Sequence, residues 1–255
     1  MIEWRDDAVI LERRRHGERH ALVDLFARGH GRWRGLVHGG ASARLAAHLE
    51  PGNLVSVHWR ARLLDQLGHF LVEPERALLP HLMGAPLKLK VWQAARSLLI
   101  VALPERQPYQ PVFEALEGLL AVLALEGVAA GHLGEALVRF ELALIAAAGF
   151  ALDLERCAVT GQNRDLVHVS PRTGRAVSRE AGAPYAERLL PLPAFLRPGA
   201  TRGASPPGRA ELDEAFRLTG HFLERHLLAA VHQPAPAARV DAIAALLAAA
   251  AEAES

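Results

Sequence analysis

The chain has 255 residues, enough for one large domain or two ordinary ones, and its 51% hydrophobic content excludes disorder of the whole. Lys+Arg of 29 against Asp+Glu of 28 gives a formal charge of +1, so any attraction for a polyanion must come from a local patch rather than the mean field. The single cysteine, Cys157, excludes an internal disulfide and a multi-cysteine zinc site, which fits a reducing cytoplasm.

The opening residues, Met1-Ile2-Glu3-Trp4-Arg5-Asp6-Asp7, lack a basic region followed by an apolar run, so no secretory signal is expected. The richest apolar stretches, 116–125 and 142–150, are too short or too interrupted for a bilayer span, which needs about 20 apolar residues. The expectation is a soluble, cytoplasmic protein.

Residues 1–78 read as β structure. Ala21-Leu22-Val23-Asp24-Leu25-Phe26 is a short apolar run, and Gly29-His30-Gly31 after it supplies a hairpin turn. Alternation in the next run puts Trp33, Gly35 and Val37 on a core face and Arg32, Arg34 and His38 on a solvent face. The run from Leu54 to Leu63 repeats this, with Val55, Val57, Trp59 and Ala61 inward and Ser56, His58, Arg60 and Arg62 outward. Turn signals at Glu50-Pro51-Gly52-Asn53 and Gly68 bound that strand. Four or five short strands in this length suit a small closed barrel, which removes exposed edges. An OB-type barrel leads, with an SH3-like barrel as the alternative.

From residue 79 the period becomes helical. One helix starts at Pro86, carries Leu87, Val91, Ala94, Ala95 and Leu98 as its apolar stripe, and ends before Pro104. A second runs from Pro111 to Leu125, and a third from Leu133 to Ala148, closed by Gly149. Residues 79–150 thus form the first part of a helical domain. Residues 151–183, with Gly161, Pro171, Gly174 and Gly182, break the pattern as a small inserted hairpin module. Residues 184–255 complete the helical domain, with a linker by composition at 197–208 and helices at 209–232 and 237–252. The fold class is α+β.

No catalytic signature survives. The glycines of Gly29-His30-Gly31-Arg32-Trp33-Arg34-Gly35 have the wrong spacing for a dinucleotide loop and precede a strand rather than a helix. A Walker-type phosphate loop and a Gly-x-Ser-x-Gly elbow are both missing from the sequence. His16 and His20 flank the turn at Gly17, and His221 and His226 fall on different sides of a helix, so no metal ligand set is assigned. No cofactor and no enzymatic activity are expected.

The arginines are more informative. Arg13, Arg14 and Arg15 precede the first turn, and the outward strand positions add Arg32, Arg34, Arg60 and Arg62. On one barrel wall these would follow a phosphate backbone, since a guanidinium offers a fork of donors to phosphate oxygens. Trp33, Trp59, Phe26 and Phe70 would stack bases if exposed, but inward alternation assigns them to the core.

The order of these features resembles the RecO family. Val9-Ile10-Leu11, the turn Gly17-Glu18, the strand from Leu22 to Phe26 and His30-Gly31-Arg32-Trp33-Arg34-Gly35-Leu36-Val37 match its N-terminal barrel. Arg139-Phe140-Glu141 through Ala148-Gly149-Phe150-Ala151-Leu152-Asp153 resembles the segment leading into its zinc-ribbon-like module. Leu218-Thr219-Gly220-His221-Phe222-Leu223-Glu224-Arg225-His226-Leu227 looks like its closing helix. Two departures stand out. Where many relatives carry paired Cys-x-x-Cys motifs, this chain has Cys157-Ala158-Val159-Thr160 and then Val177 and Glu180, so the module has lost its thiolate site and must fold on hydrogen bonds and packing. The loop Gly39-Gly40-Ala41-Ser42-Ala43-Arg44 is less basic than is usual.

The resemblance implies a recombination and repair mediator that binds single- and double-stranded DNA and anneals complementary strands. With RecR it would help RecA replace single-strand-binding protein at gaps, working in the cytoplasm at the nucleoid. Arg13, Arg14, Arg32, Arg34, Arg44, Arg60 and Arg62 are the expected DNA contacts. Arg139 is the expected contact for the tail of single-strand-binding protein. Two rival classes are a protein adaptor that uses the helical body and leaves DNA alone, and a hydrolase with an unrecognised cleft.

Overall fold

The structure, a computed structural model, describes residues 1–201, 203 and 205–254. Arg202 and Ala204, inside the linker expected at 197–208, lie outside the described residues, as does Ser255. By contact the chain forms two compact units, Met1–Pro86 with Leu103–Glu126, and Leu87–Ala102 with Gly127–Ser255.

The first unit is built on β1 (Ile2–His16), β2 (His20–Ala27), β3 (Gly31–Val37), β4 (Leu54–Ala61) and β5 (His69–Arg76), closed into a barrel in the order β1-β2-β3-β5-β4. This bears out the expected five-stranded OB-type sheet. β1 is longer than the apolar segment 9–11 suggested, because it serves two neighbours. Its first half pairs with β4 and its second half with β2, and a bulge between Ile10 and Glu12 turns it from one to the other. The seam between β3 and β5 is parallel and thin, with the single pairing Leu36↔His69.

Ala8, Ile10, Val23, Leu25, Trp33, Val55, Val57, Trp59 and Phe70 fill the barrel. Gly35 has a packing role, since a Cβ there would meet the Phe70 ring at 2.5 Å. The short helix α1 (Ala43–His48), which alternation did not reveal, joins β3 to β4 and brings Leu45 onto the core. Buried Asn53 ties the region together, donating to the carbonyls of Ala47 and His48 and accepting the Leu78 N–H.

Sequence reading placed Phe26 on the inward face, and the register corrects this. Ala21, Val23, Leu25 and Ala27 point inward, so Phe26 faces out. It is buried nonetheless, because helices α2 (Leu79–Leu82), α3 (Pro86–Ala102) and α4 (Gln110–Ala124) follow the barrel and α4 covers this wall. The Phe26 and Phe113 rings lie 5.7 Å apart, Arg28 pairs with Glu117 at 2.8 Å, and the Arg28 guanidinium sits over Phe113. Helix α4 therefore groups with the barrel, which the compositional boundary at residue 78 did not anticipate.

The second unit holds most of α3 and the helix α5 (Ala130–Ala147). The end of α5 shows the expected glycine cap. Gly149 has φ +88°, and the N–H groups of Gly149 and Phe150 donate to the carbonyls of Ala146 and Ile145. A three-stranded sheet follows, with β6 (Leu166–Val169) between β7 (Ala176–Ser178) and β8 (Leu190–Pro191). Helix α6 (Arg179–Gly182) follows β7. The long helix α7 (Arg209–Phe222) continues as π-type and 3-10 turns to Val231, and α8 (Ala237–Ala253) ends the fold. No helix among the described residues is long and apolar enough to cross a membrane.

Two buried polar clusters organise this unit. In the hairpin module the Cys157 sulfur accepts the Ser178 N–H at 3.3 Å and lies 3.5 Å from its hydroxyl. Burial pushes that thiol up, but hydrogen bonds from Thr160 and Ser178 outweigh it and bring its pKa down to about 6. Deeper in the unit, the Arg239 guanidinium grips the Glu141 carboxylate through two hydrogen bonds of 2.7 and 3.0 Å. The Thr219 hydroxyl donates to the same carboxylate. These contacts pin α5, α7 and α8 to one point.

Candidate nucleic-acid interface

The strands that build the barrel also fix what its outer wall can present. Antiparallel pairing sets Asp24 of β2 directly opposite Arg34 of β3, both on the outward face. Asp24 is 4% exposed, and its carboxylate lies 3.2 Å from the Arg34 guanidinium and 3.6 Å from that of Arg32. Glu105, in the segment after α3, closes the group at 3.2 Å from Arg32 and 3.3 Å from Arg34. Arg32 also donates to the Leu103 carbonyl, leaving its side chain 11% exposed. The outer face of β3 was expected to face solvent throughout; at Arg32 it does not, because the segment 103–109 lies across it.

That segment is fastened by two close contacts. Gly31, at φ +73°, lets the Gln107 carbonyl approach so closely that a Cβ would stand 1.8 Å from its oxygen. Arg106 donates its N–H to the Arg32 carbonyl at 2.7 Å, and its guanidinium lies over the Trp33 ring while donating to the carbonyls of Leu64, Asp65 and Gln66.

Burial raises the Asp24 pKa above the usual carboxylate value, and the positive charges of Arg32 and Arg34 offset this only in part. The sign matters. A carboxyl raised in the folded state holds its proton more tightly there than in the unfolded chain. Its stabilising contribution is thus complete below the unfolded pKa and lost as pH rises through the folded one. At neutral pH the ionised Asp24 is a cost that the two arginines reduce.

The other sequence-expected arginines divide into two kinds. Arg13 pairs with Glu50 at 2.8 Å, Arg14 with Glu12 at 3.1 Å, and Arg60 with Glu3 at 3.0 Å. Arg14 stays open to solvent, its side chain 71% exposed. Arg44, on α1, and Arg62, just past β4, are exposed and have no ion pair among the described residues. Arg139 belongs to the other unit, on α5, where Glu135 at 2.8 Å and the Phe195 carbonyl at 3.0 Å hold its guanidinium. Trp33, Trp59, Phe26 and Phe70 are all buried, so they pack rather than offer a stacking surface.

Sequence reasoning missed Asp24 and Glu105. A signal existed for the first, since an acid at an outward position, inside an apolar run and one hairpin away from Arg-x-Arg, needs a cationic partner. Nothing local announced Glu105. Among the described residues, no three histidine, cysteine or acidic side chains converge as a metal ion would require.

A five-stranded barrel with an arginine-bearing outer wall, followed by helices and a small three-stranded module, defines an α+β protein of the barrel-plus-helical-body class. Residues 1–73 match the family described as Recombination protein O N terminal, and residues 85–234 match Recombination protein O C terminal. A DNA repair protein RecO from Rhodospirillum centenum is 49% identical over 240 residues, covering 93% of this chain and 92% of its own. Proteins of the same description from Afipia carboxidovorans and Chelativorans sp. are 46% and 45% identical, over 97% and 96% of this chain and 96% of each relative. The chain belongs to the RecO family of DNA repair proteins.

Proposed function

We propose that this chain is a non-enzymatic mediator that binds single- and double-stranded DNA on the barrel wall and anneals complementary strands. With RecR it assists RecA loading onto gaps coated by single-strand-binding protein, in the cytoplasm at the nucleoid. The observation that carries the reading is the match to both halves of the RecO family across nearly the whole chain. Annealing needs no covalent step: a cationic surface releases counterions from two strands, lowers their repulsion and holds them near one another until bases pair.

The seven arginines contribute differently. Arg44 and Arg62 are available to phosphates at once, and exposed Arg14 needs only to leave Glu12. Arg13, Arg32, Arg34 and Arg60 must exchange a carboxylate for a phosphate, or else serve by shaping the wall. For the acidic, apolar tail of single-strand-binding protein, Arg139 is the proposed contact, its guanidinium already oriented by Glu135 and Phe195.

The test is the salt dependence of binding to a single-stranded oligonucleotide. Arg44→Glu/Arg62→Glu removes two contacts and is expected to flatten the slope of log affinity against log salt by about 1.4, at roughly 0.7 per phosphate. A wild-type slope near zero would overturn the reading. It would instead favour a protein adaptor, the alternative to which so many carboxylate-paired arginines also point.

Asp24→Asn supplies an opposite result. The amide keeps the shape and removes the costly buried charge, so stability at pH 7 should hold or rise while Arg34 is left with Glu105 as its only carboxylate partner among the described residues. Oligonucleotide affinity should increase, with a slope steeper by about 0.7. Weaker binding by a normally folded Asp24→Asn protein would show that the pair positions the contact surface rather than masking it.

A further inference from the structure

The end of the barrel wall near the β1–β2 turn carries a row of imidazoles that the reading above leaves unused. His16 and His20 are direct partners across β1 and β2, so their side chains share the outer face. The His20 and His38 rings meet edge to face at 4.9 Å, their Nδ1 atoms 3.4 Å apart, and the His38 and His69 rings lie 5.5 Å apart. His69 in turn stands opposite Arg60, whose Nε donates to His58. The row runs from β1 over β2 and the turn just past β3 to β5.

The charges around it are arranged in layers. One outward position further along come Arg14 on β1 and the apolar Leu22 and Leu36 on β2 and β3, while on β5, which runs parallel to β3, Leu71 and then Glu73 lead away from His69 in the opposite direction. The carboxylates Glu12 and Asp24 occupy the layer beyond, engaged by Arg14 and Arg34. On β4 and the start of β1, Glu3 is engaged by Arg60 and His58. Glu18 and Arg19 are the charged residues of the β1–β2 turn. No ion pair reaches His16, His20, His38 or His69 among the described residues.

We propose that His16, His20, His38 and His69 form a phosphodiester site that takes up protons when it binds nucleic acid. The inference rests on the DNA-binding reading and names residues that reading lacks. Imidazole is the side chain whose charge changes most readily near neutrality. These rings have no carboxylate partner among the described residues, and the Nδ1···Nδ1 contact of the His20–His38 pair requires one ring to donate and the other to accept. A phosphate backbone laid along the row supplies the missing anions, so proton and DNA binding promote one another reciprocally.

The full-length protein and a single-stranded oligothymidylate test this by calorimetry at pH 6.5 in two buffers of different ionisation enthalpy, with affinities measured at pH 6 and pH 8. The wild type should show net proton uptake, and its affinity should rise as pH falls, by up to about tenfold per pH unit for each proton taken up. His20→Gln/His38→Gln should flatten that dependence, bringing the affinity at pH 6 down toward the value at pH 8. His69→Gln, at the end of the row, should flatten it in part and covers the case in which the double variant fails to fold. His81→Gln, an exposed site on α2, should change nothing. Binding without proton uptake, or an unchanged pH dependence in a folded double variant, overturns the inference and leaves the DNA reading standing. No oligonucleotide binding at either pH overturns both. Proton-linked binding of inorganic phosphate alone, with none for the oligonucleotide, would make this a small-anion site and likewise overturn the assignment.

Discussion

Arg239→Ala is expected to destabilise the second unit by about 3–5 kcal/mol, because it strands the Glu141 carboxylate in the interior. Arg239 is 5% exposed and Glu141 fully buried, and the guanidinium supplies two of the hydrogen bonds to that carboxylate. Burial alone would pull the Arg239 pKa down, yet the Glu141 charge holds it above its ordinary value, so the arginine stays ionised. The same guanidinium also reaches the Phe216 carbonyl and the Thr219 hydroxyl, so its loss loosens α7 from α8 as well as from α5. For a chain of this size the thermal midpoint should drop by roughly 6–20 °C. The paired replacement Glu141→Leu/Arg239→Met, which removes both charges and keeps the volume, should recover much of the loss, since a buried ion pair is worth little against a well-packed apolar one. Calorimetric unfolding of the three proteins checks this. Equal stability for Arg239→Ala and wild type would mean that water reaches Glu141 and that the cluster is not the pin it resembles.

Gly31→Ala should be nearly as damaging to the first unit, at about 3 kcal/mol, through backbone strain and a forced separation. The position has φ +73°, and a methyl group there would stand 1.8 Å from the Gln107 oxygen and 2.4 Å from its carbonyl carbon. Neither atom can turn aside as a side chain does, so the segment 103–109 must lift. The N–H bond from Arg106 to Arg32 and the approach of Glu105 to Arg32 and Arg34 depend on that segment. Gly17→Ala is the matched control, since Gly17 has φ +61° but open space where a Cβ would go. It should cost only the strain of the left-handed backbone, about 1 kcal/mol. Denaturant unfolding of the two variants separates the effects. If Gly31→Ala is no worse than Gly17→Ala, the close approach of the segment contributes nothing.

These expectations depend on contacts that differ in how far the sequence announces them. Alternation in 31–37 and 54–61 told which residues line the barrel, since side-chain direction along a strand has period two whatever the strand's neighbours are. The helix from Pro86 and the cap at Gly149 were equally legible, being set by helical period and by the left-handed conformation glycine tolerates. At Phe26 the same logic failed. The residue is apolar yet faces outward, and only the presence of α4 explains its burial.

The amino-acid sequence by itself determined the β-then-α order, the inward faces of the strands, the loss of the thiolate pairs around Cys157 and the family resemblance. Tertiary structure alone decided how much charge the barrel wall has to offer. Arg13 finds Glu50 37 residues away, and Arg32 finds Glu105 73 residues away. His16, His20 and His38 are gathered by the hairpins of β1, β2 and β3, whereas His69 on β5 joins them only because the sheet closes on itself. Local periodicity fixes which side of an element a residue occupies, but strand register and the path of the covering segment fix what stands opposite it. An arginine's availability to a phosphate depends on that second quantity.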